Sequence, residues 1–238
     1  MKPLLLLVAM TLAGCNAMPG KASGTGDKDT GSAAFPAAQR PVSQIISDRW
    51  ASEAERDSVD EANKVMDISG VKAGMSVADI GAGQGYYTVR LATRVGKDGR
   101  VLAQDIFPKV RDALGDRVYR DRLDNVSVTL GAANDPKLPE NSFDRVFMIH
   151  MYHEIEQPYE FLWRLRPSLL PGGQVIVVDA NRPTGAHGIP PKLLMCEMKA
   201  VGYEIIDQHP LPNEGIFLMR FKVSGVRPAP EAIKACGV

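Results

Sequence analysis

The segment with the clearest chemical pattern is a glycine-rich stretch that follows a short apolar run. It contains Gly81, Gly83 and Gly85, and Asp79 stands two residues ahead of the first glycine. Glycines let the backbone approach a ligand closely and adopt dihedral angles that other residues disfavour. In an open α/β sheet the turn after the first strand forms the floor of the ligand crevice. The spacing therefore predicts a ligand that lies beside a turn with almost no side chains.

A second acidic residue, Asp105, ends the next apolar run, 26 residues after Asp79. One carboxylate can accept hydrogen bonds from both hydroxyls of a ribose, and such charge-assisted bonds are strong. Asp is also a good helix N-cap, so a purely structural role competes with ribose binding. The position at the end of a strand favours the ribose role.

The glycine spacing separates two kinds of nucleotide site. Dinucleotide sites use Gly-x-Gly-x-x-Gly, whereas Tyr86 stands here where the third glycine would be. The order Asp-x-Gly-x-Gly-x-Gly resembles motif I of the class I S-adenosylmethionine-dependent methyltransferases, of the type 11-like kind. The resemblance implies that the backbone of Gly81, Ala82, Gly83 and Gly85 packs beside S-adenosylmethionine. It also implies that Asp79 supports the amino-acid end of this cofactor, and that Ile106 lies against the adenine.

Further segments extend this resemblance to about residues 75–223. Methyltransferases usually place an Asp after the third strand to accept from the adenine amino group, and Asn134, followed by Asp135, occupies that position here. Either side chain can accept a hydrogen bond. The segments 138–144 (LPENSFD) and 169–173 (LLPGG) are similar to the family's entries into strands four and five.

Candidate catalytic residues follow the fourth predicted strand, which in the family lies beside the reactive methyl group. They are His153, then His150, Tyr152 and Glu154. A general base is needed only if the methyl acceptor must lose a proton, and His is the usual choice near neutral pH. The alternative is that these residues brace the next helix. We expect no metal, because no fourth ligand stands out beside the two histidines and the glutamate.

The elements that must position these residues alternate between strands and helices. Predicted strands cover 75–80, 100–105, 126–130, 144–149, 174–179, 203–207 and 215–223, and predicted helices cover 86–95, 108–123, 158–170 and 191–201. Helical periodicity also runs from Ile45 to Met66, and Ser58 with Glu61 predicts a capping box. The pattern predicts an α/β fold, a Rossmann-like seven-stranded sheet that is mostly parallel with an antiparallel last strand and helices on both faces.

The N-terminus has the form of a bacterial export signal. Lys2 precedes an apolar run, and Leu12-Ala13-Gly14-Cys15 resembles the lipobox of bacterial lipoproteins. We therefore expect a signal peptide over residues 1–15, a lipid anchor at Cys15 and a flexible tether over 16–43 that is poor in large apolar residues. The methyltransferase domain is expected at 44–223, with a C-terminal tail at 224–238.

Composition limits the possible partners. The chain has equal numbers of basic and acidic residues, 28 of each, so no basic excess points to nucleic acid. Its three cysteines are too few for a disulfide framework. Cys196 and Cys236 could form a disulfide if the protein resides in an oxidising compartment. The alternative is that Cys196 remains a buried free thiol.

The sequence thus predicts a methyltransferase that uses S-adenosylmethionine on an unidentified small molecule. The alternative is a catalytically inactive, membrane-tethered binding module. A third hypothesis, a nicotinamide oxidoreductase, is supported only by the shared α/β architecture. The lipobox predicts a lipid-anchored protein of the cell envelope that faces the periplasm. Since S-adenosylmethionine is made in the cytosol, a cytoplasmic location is the alternative. The oligomeric state is not predicted.

Overall fold

The structure, a computed structural model, describes residues 35–45 and 52–237. The strands are β1 (Ser76–Ile80), β2 (Arg100–Asp105), β3 (Val126–Leu130), β4 (Phe143–Ile149), β5 (Leu169–Ala180), β6 (Tyr203–Pro210) and β7 (Ile216–Val223). The helices are α1 (Glu53–Ser58), α2 (Glu61–Ile68), α3 (Tyr86–Val95), α4 (Pro108–Arg120), α5 (Pro158–Leu165) and α6 (Pro191–Ala200). The predicted signal peptide, its lipobox Cys15 and most of the predicted tether lie outside the described residues.

The seven strands form one sheet in the order β3-β2-β1-β4-β5-β7-β6. Strands β1 to β5 pair in parallel, and β7 runs antiparallel to both β5 and β6. The order reverses between β1 and β4, and open α/β sheets bind their ligands at such a reversal. The predicted fold class is confirmed.

Helices cover both faces of the sheet because the central strands are apolar on both sides. Residues 146–148 of β4 and 175–178 of β5 are fully buried. One core cluster joins these strands to Leu162 of α5 and Leu194 of α6, and the other joins them to Val65 of α2 and Leu91 of α3. This double cover fixes the sheet rigidly and leaves the carboxyl ends of its strands as the place for a site.

The chain ahead of α1 packs on this domain earlier than the predicted boundary at residue 44. Arg40 is buried and its Nε lies 2.9 Å from Glu197 Oε1 in α6. Phe35 contacts the Trp163 ring edge-on, with 5.5 Å between ring centroids. Residues 35–43, expected as the end of a tether, are therefore part of the folded domain. The sequence did not show this because the segment has few large apolar residues and no helical or strand periodicity. It is anchored instead by the buried Arg40–Glu197 ion pair and by the single aromatic contact of Phe35.

The predicted C-terminal tail also packs on the domain as far as residue 237. Pro228 O accepts a hydrogen bond from Trp163 Nε1 at 2.9 Å, and Ile233 is buried. Cys236 is disulfide-bonded to Cys196 of α6. Of the two alternatives for these cysteines, the pairing is the one found.

The helical region before β1 differs from the prediction. The capping box consists of Ser52 and Glu55 at the start of α1, and the predicted box of Ser58 and Glu61 is wrong. Ser58 ends α1 and donates to Glu55 O, which leaves the Glu61 side chain available for long-range contacts. Within the described part of the chain, no helix is both long and apolar enough to cross a bilayer.

Candidate active site

A cavity of about 670 Å³ opens at the carboxyl ends of β1, β2 and β4, where the sheet order reverses. Pockets of this size suit cofactors and small molecules. Seven of the residues predicted for the site line the cavity: Gly81, Ala82, Gly83, Asp105, Ile106, His150 and Glu154. Six do not: Asp79, Gly85, Asn134, Asp135, Tyr152 and His153.

The glycine turn after β1 forms the floor of the cavity. Gly81, Gly83 and Gly85 all have positive φ, which side-chain-bearing residues adopt at a cost. Gly85 serves packing rather than the ligand, because a Cβ there would lie 2.5 Å from Leu114 Cδ1 of α4. Gly81 and Gly83 present bare backbone to the cavity.

Asp105 lies beside this turn with its carboxylate fixed from both sides. Its Oδ2 accepts from Gly83 N at 3.2 Å and its Oδ1 accepts from Phe107 N at 3.0 Å. The N-cap position of α4 is Phe107, so Asp105 is not the helix cap that sequence reasoning left open. Since each carboxylate oxygen has about two acceptor positions, both oxygens keep capacity for a further donor in the cavity.

Asp79 lies behind the turn rather than in the cavity. It is 3% exposed and its Oδ2 accepts from Thr88 Oγ1 of α3 at 2.6 Å. Burial raises the pKa of Asp79 to about 6, although the Thr88 hydrogen bond and the charge of Arg56 act in the opposite direction. As placed, Asp79 ties β1 to the first turn of α3, and its predicted support of a cofactor would be indirect.

The loop after β3 offers two small apolar side chains to the cavity instead of the predicted polar pair. Ala132 and Ala133 line it, whereas Asp135 lies 3.7 Å from Arg164 and accepts from Lys137 N. The adenine contact predicted for Asn134 and Asp135 stays a prediction.

Gln104, at the end of β2, is a lining residue that sequence reasoning missed. Its Nε2 lies against Gly131 and has no hydrogen-bond partner among residues 35–45 and 52–237. Buried polar groups nearly always have partners, and exceptions call for an explanation. An orphaned donor at the wall of a cavity is one that a ligand can satisfy.

His150 is held at the cavity by a second missed residue, Glu61. His150 Nε2 lies 3.4 Å from Glu61 Oε2, while Glu61 Oε1 accepts from Arg56 Nη2 at 2.7 Å and from Tyr87 OH at 3.0 Å. Burial would raise the pKa of Glu61, but His150 and Arg56 together lower it to about 2. An ionised carboxylate thus fixes a histidine and an arginine that both line the cavity. From the sequence, Glu61 was assigned to a capping box with Ser58 and was therefore not considered for the site.

His153 and Tyr152 point away from the cavity. His153 is 1% exposed and its Nδ1 lies 2.9 Å from both carboxylate oxygens of Asp179. Tyr152 OH donates to Glu197 Oε2 at 2.8 Å, and burial raises its pKa well above the usual value. Their placement matches the bracing role that was the alternative to catalysis. Among the catalytic candidates, His150 and Glu154 are the two that reach the cavity.

A sheet of this order with its cavity at a glycine turn defines the Rossmann-like methyltransferase class of fold. Residues 78–177 match the family model described as a methyltransferase domain. The chain is 32% identical over 123 residues to the ubiquinone/menaquinone biosynthesis C-methyltransferase UbiE of Hahella chejuensis, a match that covers 50% of this chain and 48% of that protein. The chain thus spans about half the length of the curated relatives it matches.

Solved structures agree on the fold. A SAM-dependent methyltransferase from Aquifex aeolicus superimposes with a TM-score of 0.65 at 23% identity, covering 72% of this chain and 98% of that one. The [4+2]-cyclase SpnF superimposes with a TM-score of 0.62 at 14% identity, covering 78% and 88%. The solved structures confirm the predicted fold, and the family match over residues 78–177 supports the predicted methyltransferase domain.

Proposed function

We propose that the whole protein transfers a methyl group from S-adenosylmethionine to a small molecule. The observation that carries this proposal is the fixed Asp105 carboxylate beside the bare turn of Gly81 and Gly83. Two backbone amides orient the carboxylate before any ligand arrives, so little ordering entropy remains to be lost on binding.

The residues around the cavity fit this cofactor in chemistry. Asp105 would accept from the two ribose hydroxyls, and Ile106 with Ala132 and Ala133 would offer an apolar slot to the adenine. The orphaned Gln104 Nε2 is a donor at the same end of the cavity, because it lies against Gly131, the residue before Ala132. The bound cofactor supplies an electrophilic methyl group on a sulfonium.

The remaining lining residues would position the acceptor. Alignment of the two reacting groups supplies most of the acceleration in such a displacement. His150, fixed by Glu61, is the group best placed to take a proton from an acceptor that must lose one, and Glu154 is the second candidate. The α1 region closes this side with Glu53, Glu55 and Arg56.

A small acceptor is supported by the cavity volume of about 670 Å³ and by the curated relatives, whose names place them in ubiquinone and menaquinone biosynthesis. These matches cover only about half of each protein. The proposal for this chain therefore stays at the level of a small molecule.

The cell envelope, with a lipid anchor at Cys15, is our proposed location, and the cytoplasm remains the alternative. The lipobox-like segment 12–15 supports it, and so does the bond between Cys196 and Cys236, since disulfides persist mainly in oxidising compartments. Mass spectrometry of the protein from its own cells tests the anchor. An unmodified Cys15 in a chain that still begins at Met1 would contradict it.

Calorimetry of the full chain with S-adenosylmethionine tests the activity proposal. Asp105→Ala removes two charge-assisted hydrogen bonds to the ligand, each worth about 1.5–3 kcal/mol, so we expect affinity to fall at least about a hundredfold. Asp98→Ala, an exposed residue at a turn, is the matched control and should bind like the wild type. Absence of binding in the wild type, or equal binding in both variants, would contradict the proposal.

The second candidate function is a tethered binding module without methyl transfer. Two observations favour it: Asp79 and His153 face away from the cavity, and a similar fold is found in a protein named as a [4+2]-cyclase. Fold alone does not fix the reaction. Wild-type protein that binds the cofactor but methylates none of a broad panel of quinols, phenols and amines would favour this alternative.

A further inference from the structure

Behind the turn that carries His153, three side chains with metal-binding atoms converge. The ligand atoms of His153, Glu154 and His187 all lie within 4.8 Å of one another. His153 and Glu154 follow β4, whereas His187 lies in the loop between β5 and α6. The expectation that no metal site exists rested on the lack of a further ligand, and no pattern in the sequence places His187 beside His153 and Glu154.

We propose that His153, Glu154 and His187 form a binding site for a divalent transition-metal ion of the Zn²⁺ type. Two imidazoles and one carboxylate are a recurrent set of three protein ligands for zinc, with a further position left for water or another oxygen. This set suits neither Mg²⁺ nor Ca²⁺, which prefer oxygen ligands throughout.

Asp179 gives the site the supporting residue that metal-bound histidines usually have. It is fully buried, and both of its oxygens lie 2.9 Å from His153 Nδ1. A histidine that ligates a metal commonly donates its other ring N–H to a carboxylate, which fixes the ring and the tautomer. With Nδ1 donating to Asp179, Nε2 of His153 is the nitrogen that can bind a metal.

His187 is held towards this centre by its backbone and its ring. The backbone N–H of His187 donates to Ser43 Oγ at 3.1 Å, and the Ser43 hydroxyl donates to Thr184 O. The His187 ring contacts the His153 ring edge-on at 5.6 Å between centroids, and its buried Nδ1 has no hydrogen-bond partner within the two described ranges. A buried imidazole nitrogen without a partner is costly unless something binds it.

The side chains need only a small closure to bind. In a tetrahedral site with bonds of about 2.1 Å, ligand atoms lie about 3.4 Å apart. No separation here exceeds 4.8 Å, so no pair of ligand atoms has to approach by more than roughly 1.4 Å. Glu154 and His187 are half-buried, whereas His153 is buried and held by Asp179. Glu154 also lines the large cavity, so the ion would lie at the wall of the candidate active site.

Isothermal titration calorimetry of the metal-free full chain with Zn²⁺ tests the site without any assay of methyl transfer. We expect one saturable site per chain. His187→Ala and Glu154→Gln should each weaken Zn²⁺ binding at least tenfold, and Asp179→Asn should weaken it about 10–100-fold through His153. Thermal unfolding of each variant shows whether it is folded.

Two matched controls separate this site from adventitious binding. His209→Ala removes a histidine that lies beside Asp207, far along the chain from the cluster, and Glu156→Gln removes a neighbouring carboxylate of the cavity that is outside the cluster. Both should bind Zn²⁺ like the wild type. No saturable site, or a site that His187→Ala and Glu154→Gln leave unchanged in folded protein, would overturn the proposal.

Discussion

The buried carboxyl groups of Glu61 and Asp79 have pKa values shifted in opposite directions, and the cause in each case is the set of neighbouring groups. Glu61 contacts Arg56 and His150, so its charged form is favoured. Asp79 accepts only neutral hydrogen bonds, from the side chain and backbone of Thr88, and its burial dominates. Desolvation raises the pKa of a carboxyl group and nearby cations lower it. Ionisation of Glu61 should therefore stabilise the folded protein, whereas ionisation of Asp79 should destabilise it.

Glu61→Gln should destabilise the protein at neutral pH. A folded-state pKa of about 2 against 4.5 in the unfolded chain contributes about 3 kcal/mol, fully present above pH 4.5 and lost as the pH falls towards 2. Urea unfolding at pH 7, 5 and 3 measures this. The variant should lose about 3 kcal/mol at pH 7 and about half of that at pH 3, where most of the folded Glu61 is still ionised. The exposed control Glu140→Gln should lose stability at neither pH. An equal loss at both pH values would show that the charge is not the cause.

Asp79→Asn should stabilise the ligand-free protein at neutral pH. Between about pH 4 and 6 the unfolded chain releases the Asp79 proton while the folded chain keeps it, so the free energy of unfolding falls as the pH rises. The shift to about 6 corresponds to about 3 kcal/mol, the upper limit of the gain at pH 7. Asn keeps an acceptor for Thr88. A gain that is as large at pH 4 as at pH 7 would contradict this account.

Sequence reasoning predicted those residues whose role follows from local order along the chain. Asp105 could be predicted because it ends a strand and follows a glycine turn at a regular distance. Glu61 could not, since its partners Tyr87 and His150 lie 26 and 89 residues away. His187 was missed for the same reason, because it lies 34 residues from His153 and only the fold brings them together.

At the scale of elements, the strands and helices of the central sheet were predicted most closely. The bounds of α3, β2 and β3 agree with the prediction, because each begins and ends at a clear change of apolar period. Two segments at the margins of the domain were not predicted as packed. Residues 35–43 and the chain after β7 lack apolar periodicity, and they are held by an ion pair, a disulfide and single aromatic contacts.

The segment around Arg40 gives a prediction about that ion pair. Arg40→Met leaves Glu197 charged and buried beside Tyr152, and breaking a buried pair on one side costs about 3–5 kcal/mol. Urea unfolding should show this loss. The double variant Arg40→Met with Glu197→Gln should recover much of it, because Gln carries no charge and still accepts from Tyr152. A double variant no more stable than Arg40→Met would contradict the explanation.

For the described part of the molecule, the segments 35–45 and 224–237 pack on the same side of the domain. Gln39 and Gly237 form an isolated β-bridge, and Cys236 is bonded to Cys196 of α6 while its N–H donates to Tyr159 OH at 2.6 Å. These two segments thus cover α5 and α6, which lie on the face opposite α2 and α3. Ile45 and the α1 region line the cavity at the strand ends, whereas neither disulfide cysteine nor any residue of 224–237 lines it. The disulfide-linked tail and the site are therefore separate parts of the molecule.

Reduction of the disulfide should therefore lower stability while leaving the cofactor cavity able to bind. The bond closes a stretch of 40 residues, and a chain-entropy estimate gives about 4 kcal/mol for a loop of that length. Urea unfolding with and without a phosphine reductant measures the loss, and calorimetry with S-adenosylmethionine in native buffer checks the cavity. The double variant Cys196→Ala with Cys236→Ala should match the reduced wild type and should not respond to the reductant. If reduction abolished cofactor binding in protein that stays folded, the far face and the cavity would be coupled, and the separation inferred here would be wrong.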